Sequence, residues 1–142
     1  MAKSFVNIVT ILGMARTGKS TLMNSVVGKK AFETSGVKGC TQGVWVSNTT
    51  KDIGEDGVTV YLDTEGQGNK SVKTDYKLLI PVLLLSKVII FNIKGIIAAT
   101  DVLEELALLV QIGDSIKSKS GPVTFGHLII AVRDYYLKGI VT

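Results

Sequence analysis

The chain has 142 residues and a formal net charge of +4, but its lysines are scattered and no basic stripe is interleaved with aromatics, so a nucleic-acid role has no support beyond charge. A composition of 46% apolar and 20% charged residues is that of one folded globular domain and excludes a disordered or fibrous chain. Cys40 is the sole cysteine, which excludes an internal disulfide and suits a reducing compartment. The longest apolar stretch, 78–93, is broken by Pro81, Ser86, Lys87 and Asn92 and is too short to span a bilayer. A cytoplasmic location is expected.

In chain order, Phe5 to Leu12 is nearly all apolar and reads as a central strand buried on both faces. A helix is predicted from Lys19 to Val27, ending before Gly28, and a small, polar loop follows from Glu33 to Gln42. Val44 to Ser47 and Val58 to Leu62 read as the second and third strands, with a turn carrying Gly54, Asp56 and Gly57 before the third. After a polar loop from Asp63 to Asp75, helix covers part of Tyr76 to Ser86, with regular helix expected to begin near Pro81. Val88 to Ile93 is a buried strand. A long helix from about Asp101 to Ile116 carries a capping-box pattern in Asp101 and Glu104. Leu103, Leu106, Val110 and Gly113 or Ile116 are expected to form its buried stripe, and Gly121-Pro122 to end it. His127 to Val132 is the fifth strand, followed by Arg133-Asp134. His127 reads as a structural histidine rather than a base.

Strands alternating with helices predict an α/β fold of the P-loop NTPase type, a mostly parallel sheet with helices on both faces. The first strand runs into Gly13-Met14-Ala15-Arg16-Thr17-Gly18-Lys19-Ser20 and then into helix. Strand, G-x-x-x-x-G-K-S, helix is the context that makes this motif a phosphate-binding loop. Gly13 and Gly18 let the backbone wrap so that successive N–H groups from Met14 to Thr21 point inward, and the helix start adds its dipole. Lys19 supplies a point charge to the β- and γ-phosphates, and the Ser20 hydroxyl suits Mg²⁺. Asp63-Thr64-Glu65-Gly66 follows the third strand, where Asp63 can hold Mg²⁺ through water and the Gly66 N–H can approach the γ-phosphate. Thr41, in the loop before the second strand, is placed to bring its hydroxyl to the metal when triphosphate is bound.

Taken together, Arg16 to Ser20, Cys40-Thr41-Gln42-Gly43-Val44-Trp45, Leu62 to Gly66, Phe91 to Ile97 and Val132-Arg133-Asp134 resemble the motifs of the guanylate-binding protein and atlastin group, large GTPases of the dynamin superfamily. The similarity covers about Phe5 to Leu137, so residues 1–142 are expected to form part of a Ras-like GTP-binding domain, truncated after the fifth strand. The resemblance implies that Arg133-Asp134 stands in place of Asn-Lys-x-Asp and that the Asp134 carboxylate reads guanine. It also implies that Arg16 is an internal arginine finger once two domains meet face to face as a homodimer. Glu65 either joins the water network or makes a local loop hydrogen bond.

The departures from the family pattern are Gly39, where relatives carry a serine before the switch threonine, and Gln67, where relatives carry an apolar residue. Gln67 stands where Ras-type GTPases orient water and is a candidate replacement for that serine. The implied activity is Mg²⁺-dependent hydrolysis of the β–γ phosphoanhydride bond of GTP. A non-catalytic, GTP-dependent assembly module is the alternative, and an ATP-using enzyme is disfavoured by Asp134. Nucleic acid is not an expected partner, and membrane association is expected only through regions outside this chain.

Overall fold

The computed structural model describes residues 5–34, 43–47, 51–53, 57–64, 72–95, 99–120 and 124–134. Thr41, Glu65, Gly66 and Gln67, with Gly39 and Cys40, lie outside the described residues. The elements are β1 (Phe5–Leu12), α1 (Lys19–Val27), β2 (Val44–Val46), β3 (Lys51–Ile53), β4 (Gly57–Thr64), α2 (Val72–Leu85), β5 (Val88–Lys94), α3 (Ala99–Ser120) and β6 (His127–Arg133). They form one sheet in the order β2-β4-β1-β5-β6, with β3 also pairing β4. β1 is parallel to β4 and β5, and β6 is parallel to β5, whereas β2 and β3 are antiparallel to β4. The expected α/β architecture is therefore present.

Alternation along the central strands builds a core on each face. Ile11 and Ile90 pack with Met23, Phe32 and Tyr61 on the α1 side. Leu12, Ile89 and Phe91 pack with Leu79 and Leu83 of α2 and Ile112 of α3 on the other. Among the described residues no helix is long and apolar enough to cross a membrane. β6 is the edge of the sheet, and Leu128, Ile129, Ile130 and Val132 are 43–50% exposed there.

Four local expectations are corrected. β3 was not predicted: its short K-D-I sequence has no alternation to betray it, and it forms because the edge of β4 beside Gly57–Thr59 accepts a partner. α2 does not begin near Pro81 but runs through it. Pro81 donates no N–H, so one helical bond is missing, yet Leu79, Val82 and Leu83 are buried around it and hold the helix to the sheet. α3 starts at Ala99, so Asp101 lies inside the first turn and is not the N-cap of a capping box. Finally, Leu103 and Val110 are exposed, and the buried stripe of α3 is Leu109, Ile112 and Ile116. That stripe keeps the three- and four-residue spacing but is turned relative to the one expected.

The end of α1 is tied to the segment that follows it by a single side chain. Gly28 takes a left-handed φ of 83° and its N–H bonds to the Asn24 carbonyl at 2.9 Å, a glycine C-cap. The Asn24 side chain accepts from the N–H groups of Ala31 (2.9 Å) and Phe32 (2.8 Å) and donates to the Phe32 carbonyl (2.9 Å). Phe32 is thereby held in the core. Removing these bonds strands backbone groups that the fold has taken from water, at about 1–3 kcal/mol. Asn24→Ala is expected to lower the unfolding free energy by that amount, seen as a lower urea midpoint at an unchanged m-value. Asn24→Asp, which keeps the acceptor for two N–H groups, is expected to lose less.

Candidate functional site

The C-terminal ends of β1, β4, β5 and β6 lie side by side, as the pairings Ile11↔Asp63, Leu12↔Phe91 and Lys94↔Arg133 require. In open α/β sheets, ligands bind outside this edge, where the strand order reverses on either side of the first strand. Every sequence-predicted site residue among the described ones lies here. His127 begins β6, at the opposite end of the sheet. An apolar cavity of about 350 Å³ between α3 and β6, lined by Leu83, Ile89, Leu109, Phe125 and Leu128 among others, also opens near the starts of β5 and β6. Its apolar walls do not suit a phosphate ligand.

The loop after β1 is built by backbone constraint. Gly13 has φ 138°, and a Cβ there would collide with the Asn92 carbonyl of β5. Gly18 has φ 74° and begins α1 without a side-chain cap, leaving the first N–H groups of the helix for another partner. Lys19 is buried, and its Nζ donates to the Met14 carbonyl at 3.0 Å. The Thr17 hydroxyl donates to the same carbonyl at 2.8 Å. Met14 and Thr21 are exposed, Ala15 is half-buried, and Arg16 faces solvent with φ 63°.

Asp63, at the end of β4, is fully buried. Ser20, in the first turn of α1, donates its hydroxyl to Asp63 Oδ2 at 2.5 Å. Beside it, the Thr64 hydroxyl bonds to the Ile11 carbonyl at 2.7 Å and locks the ends of β4 and β1 together. A hydroxyl and a carboxylate are hard oxygen donors, and they fit Mg²⁺. Among the described residues no group of three or more His, Cys, Asp or Glu side chains forms a metal cage. Mg²⁺ typically takes one or two protein oxygens and completes its shell with water and substrate phosphates.

The end of β6 turns inward. Arg133 Nη2 donates to the carbonyls of Thr17 (2.5 Å) and Gly18 (3.1 Å), and its Nε donates to Asn92 Oδ1 at 2.9 Å. Asn92 Nδ2 in turn donates to the Thr17 carbonyl and hydroxyl, both at 3.0 Å. Asp134 follows with φ 53° and a carboxylate 3.7 Å from Lys94 Nζ, both side chains half-exposed. Among the described residues, Arg16 and Asp134 are the two non-glycine residues with positive φ; such backbone strain clusters at functional sites. Sequence reasoning missed Asn92, although a buried amide in an otherwise apolar strand is itself a signal, because it must find partners.

Comparison with known proteins agrees with this geometry. The family described as "Guanylate-binding protein, N-terminal domain" matches residues 1–138. Human guanylate-binding protein 2 is 34% identical over 122 residues, covering 82% of this chain and 20% of that protein. Mouse guanylate-binding protein 5 is 33% identical over 149 residues, covering 93% of this chain and 25% of that protein. The chain thus spans a fifth to a quarter of the length of these relatives. Among solved structures, Era in complex with MgGDPNP and a segment of 16S ribosomal RNA superposes with a TM-score of 0.56 at 19% identity, covering 91% of this chain and 51% of that one. Aquifex aeolicus Era bound to GDP and aluminium fluoride gives a TM-score of 0.57 at 20% identity, covering 90% and 51%; these likenesses speak to fold alone. Matched by that family's model over residues 1–138 and about a third identical to its members over most of its length, the chain belongs to the guanylate-binding protein family.

Proposed function

We propose that residues 1–142 are the nucleotide-binding part of a GTP-binding domain that hydrolyses GTP to GDP and phosphate with Mg²⁺. The observation that carries this reading is the convergence of Lys19, Ser20, Asp63 and Asp134 on one edge of the sheet, in a chain of this family. Ser20 and Thr41 would bind the metal directly and Asp63 through water. Mg²⁺ held there would supply positive charge against the charge that develops on the phosphates.

The chain's own residues supply the rest. Lys19 leaves the Met14 carbonyl for the phosphates, and the N–H groups from Met14 to Thr21 surround them, with the Gly66 N–H at the γ-phosphate. Glu65 and Gln67 orient the attacking water; its oxygen bonds to the γ-phosphorus as the bond to the β-γ bridging oxygen breaks and GDP leaves. Gly39 has no hydroxyl for this task, which gives Gln67 its role. Asp134 accepts from guanine N1–H and the exocyclic amine, neither of which adenine presents, and such a site rejects the wrong base by leaving polar groups unpaired.

Arg16 faces solvent on this edge, and a second copy closing over it as a homodimer would direct its guanidinium to the transferring phosphoryl group. GTP and GDP, in the cytoplasm, are the small-molecule partners of this reading.

Single-turnover GTP hydrolysis with Mg²⁺, measured across protein concentrations, tests the reading. The specific rate is expected to climb with concentration and to fall about 10³-fold or more in Arg16→Ala, the scale of a lost arginine finger. Tight GTP binding without turnover at any concentration would leave a non-catalytic assembly module instead. In competition binding, Asp134→Asn is expected to lose GTP and gain affinity for xanthosine triphosphate, whose extra carbonyl accepts where guanine donates. Gln67→Leu is expected to slow turnover with little change in GTP affinity; an unchanged rate removes Gln67 from the water network.

A further inference from the structure

We infer that Arg133 and Asn92 form a latch that sets the shape of the phosphate loop from the end of β6. Arg133 is then a positioning residue, acting on phosphate affinity through the loop backbone without touching the nucleotide. The inference rests on the proposed reading only in that the loop binds phosphate.

The geometry is specific. Two donors converge on the Thr17 carbonyl, Arg133 Nη2 at 2.5 Å and Asn92 Nδ2 at 3.0 Å, and Arg133 Nη2 also reaches the Gly18 carbonyl at 3.1 Å. A trans peptide is planar, with its C=O and the next N–H on opposite sides. Holding the Thr17 and Gly18 carbonyls toward Arg133 therefore turns the N–H groups of Gly18 and Lys19 the other way. Those N–H groups are the ones a phosphate needs.

The latch also explains two residue choices. Only a planar fork can serve Asn92 Oδ1 through Nε and two carbonyls through Nη2, which a lysine cannot do. A Cβ on Gly18 would sit 2.9 Å from Arg133 Nη2, so the glycine makes room for the guanidinium. The Gly95 N–H pins the Arg133 carbonyl at 2.9 Å. One residue later, Asp134 stands in its left-handed conformation. A base held at Asp134 and a phosphate held by the loop would therefore be coupled through one side chain.

The test compares wild type, Arg133→Ala, Arg133→Lys and Asn92→Ala by two readouts. The first is amide hydrogen exchange of the nucleotide-free protein. The expected result in all three variants is about tenfold faster exchange or more at Gly18 and Lys19, with β1 and β4 amides unchanged. The second is binding of Mg²⁺–tripolyphosphate, GTP and xanthosine triphosphate. Loss of charge-assisted bonds is expected to raise the dissociation constants of all three by a similar factor, about 10- to 100-fold in Arg133→Ala and less in Arg133→Lys.

Unchanged loop exchange overturns the latch. So does faster exchange spread over β1 and β4 in both Arg133 variants, which would make the arginine a general stabiliser. Lost guanine preference with unchanged tripolyphosphate binding also overturns it and makes Arg133 a direct base reader. A wild type that binds tripolyphosphate but does not prefer GTP removes the guanine reading alone, and the latch is then decided by exchange and tripolyphosphate affinity.

Discussion

The nucleotide edge depends on one constraint, the complete burial of the end of β1. Thr10, Ile11 and Leu12 are 0–1% exposed, enclosed by β4 and β5 at the sides and by the two helical layers above and below. Parallel strands in such a position need apolar side chains on both faces, and Ile11 and Leu12 face opposite cores. Thr10 is the exception, and its hydroxyl is satisfied by Ser86 at 2.5 Å while Ser86 bonds on to the Val82 carbonyl. That buried pair ties the central strand to the end of α2. With Thr64 bonded to the Ile11 carbonyl on the other side, the point where the phosphate loop departs is fixed from both neighbours.

The shared location of the candidate site residues was legible because the motifs that carry them sit at strand ends with fixed spacing. The loop from Gly13 to Ser20, Asp63 after its strand and Arg133-Asp134 after theirs all fall on one edge of the sheet. β1 and α1 have the boundaries that periodicity and glycine punctuation predict. What was not legible depends on contacts between distant segments. β3 exists because β4 has a free edge. α2 tolerates Pro81 because Leu79 and Leu83 bury enough surface to offset a lost bond. The rotation of α3 is set by which ridge meets Leu12 and Phe91, and a sequence with leucines at 103, 106, 108 and 109 offers several stripes. Arg133 shows the same limit: its motif was readable, but its hydrogen bonds to residues 115 and 116 positions away were not.

The polar groups of the phosphate loop bond to one another. The Met14 carbonyl takes both the Lys19 ammonium and the Thr17 hydroxyl, and Ser20 rests on Asp63. A hydrogen bond to a charged group is worth about 1.5–3 kcal/mol, so the Lys19–Met14 bond holds the loop to the start of α1. Lys19 is buried, and its charge acts where screening is weak.

The same bonds make the strained residues sustainable. A non-glycine residue in the left-handed region costs of order 1–3 kcal/mol unless its surroundings determine it. Arg16 is bracketed by Met14, whose carbonyl takes two donors, and Thr17, whose carbonyl takes two more. Asp134 is preceded by Arg133, fixed through its side chain and its own carbonyl. By contrast, the Lys94–Asp134 pair is half-exposed and of the kind worth at most about 1 kcal/mol. Backbone geometry, rather than that ion pair, therefore directs the Asp134 carboxylate. Because Arg133 sits in both arrangements, the strain at Asp134 and the shape of the phosphate loop are not independent quantities; relaxing either one must loosen the other.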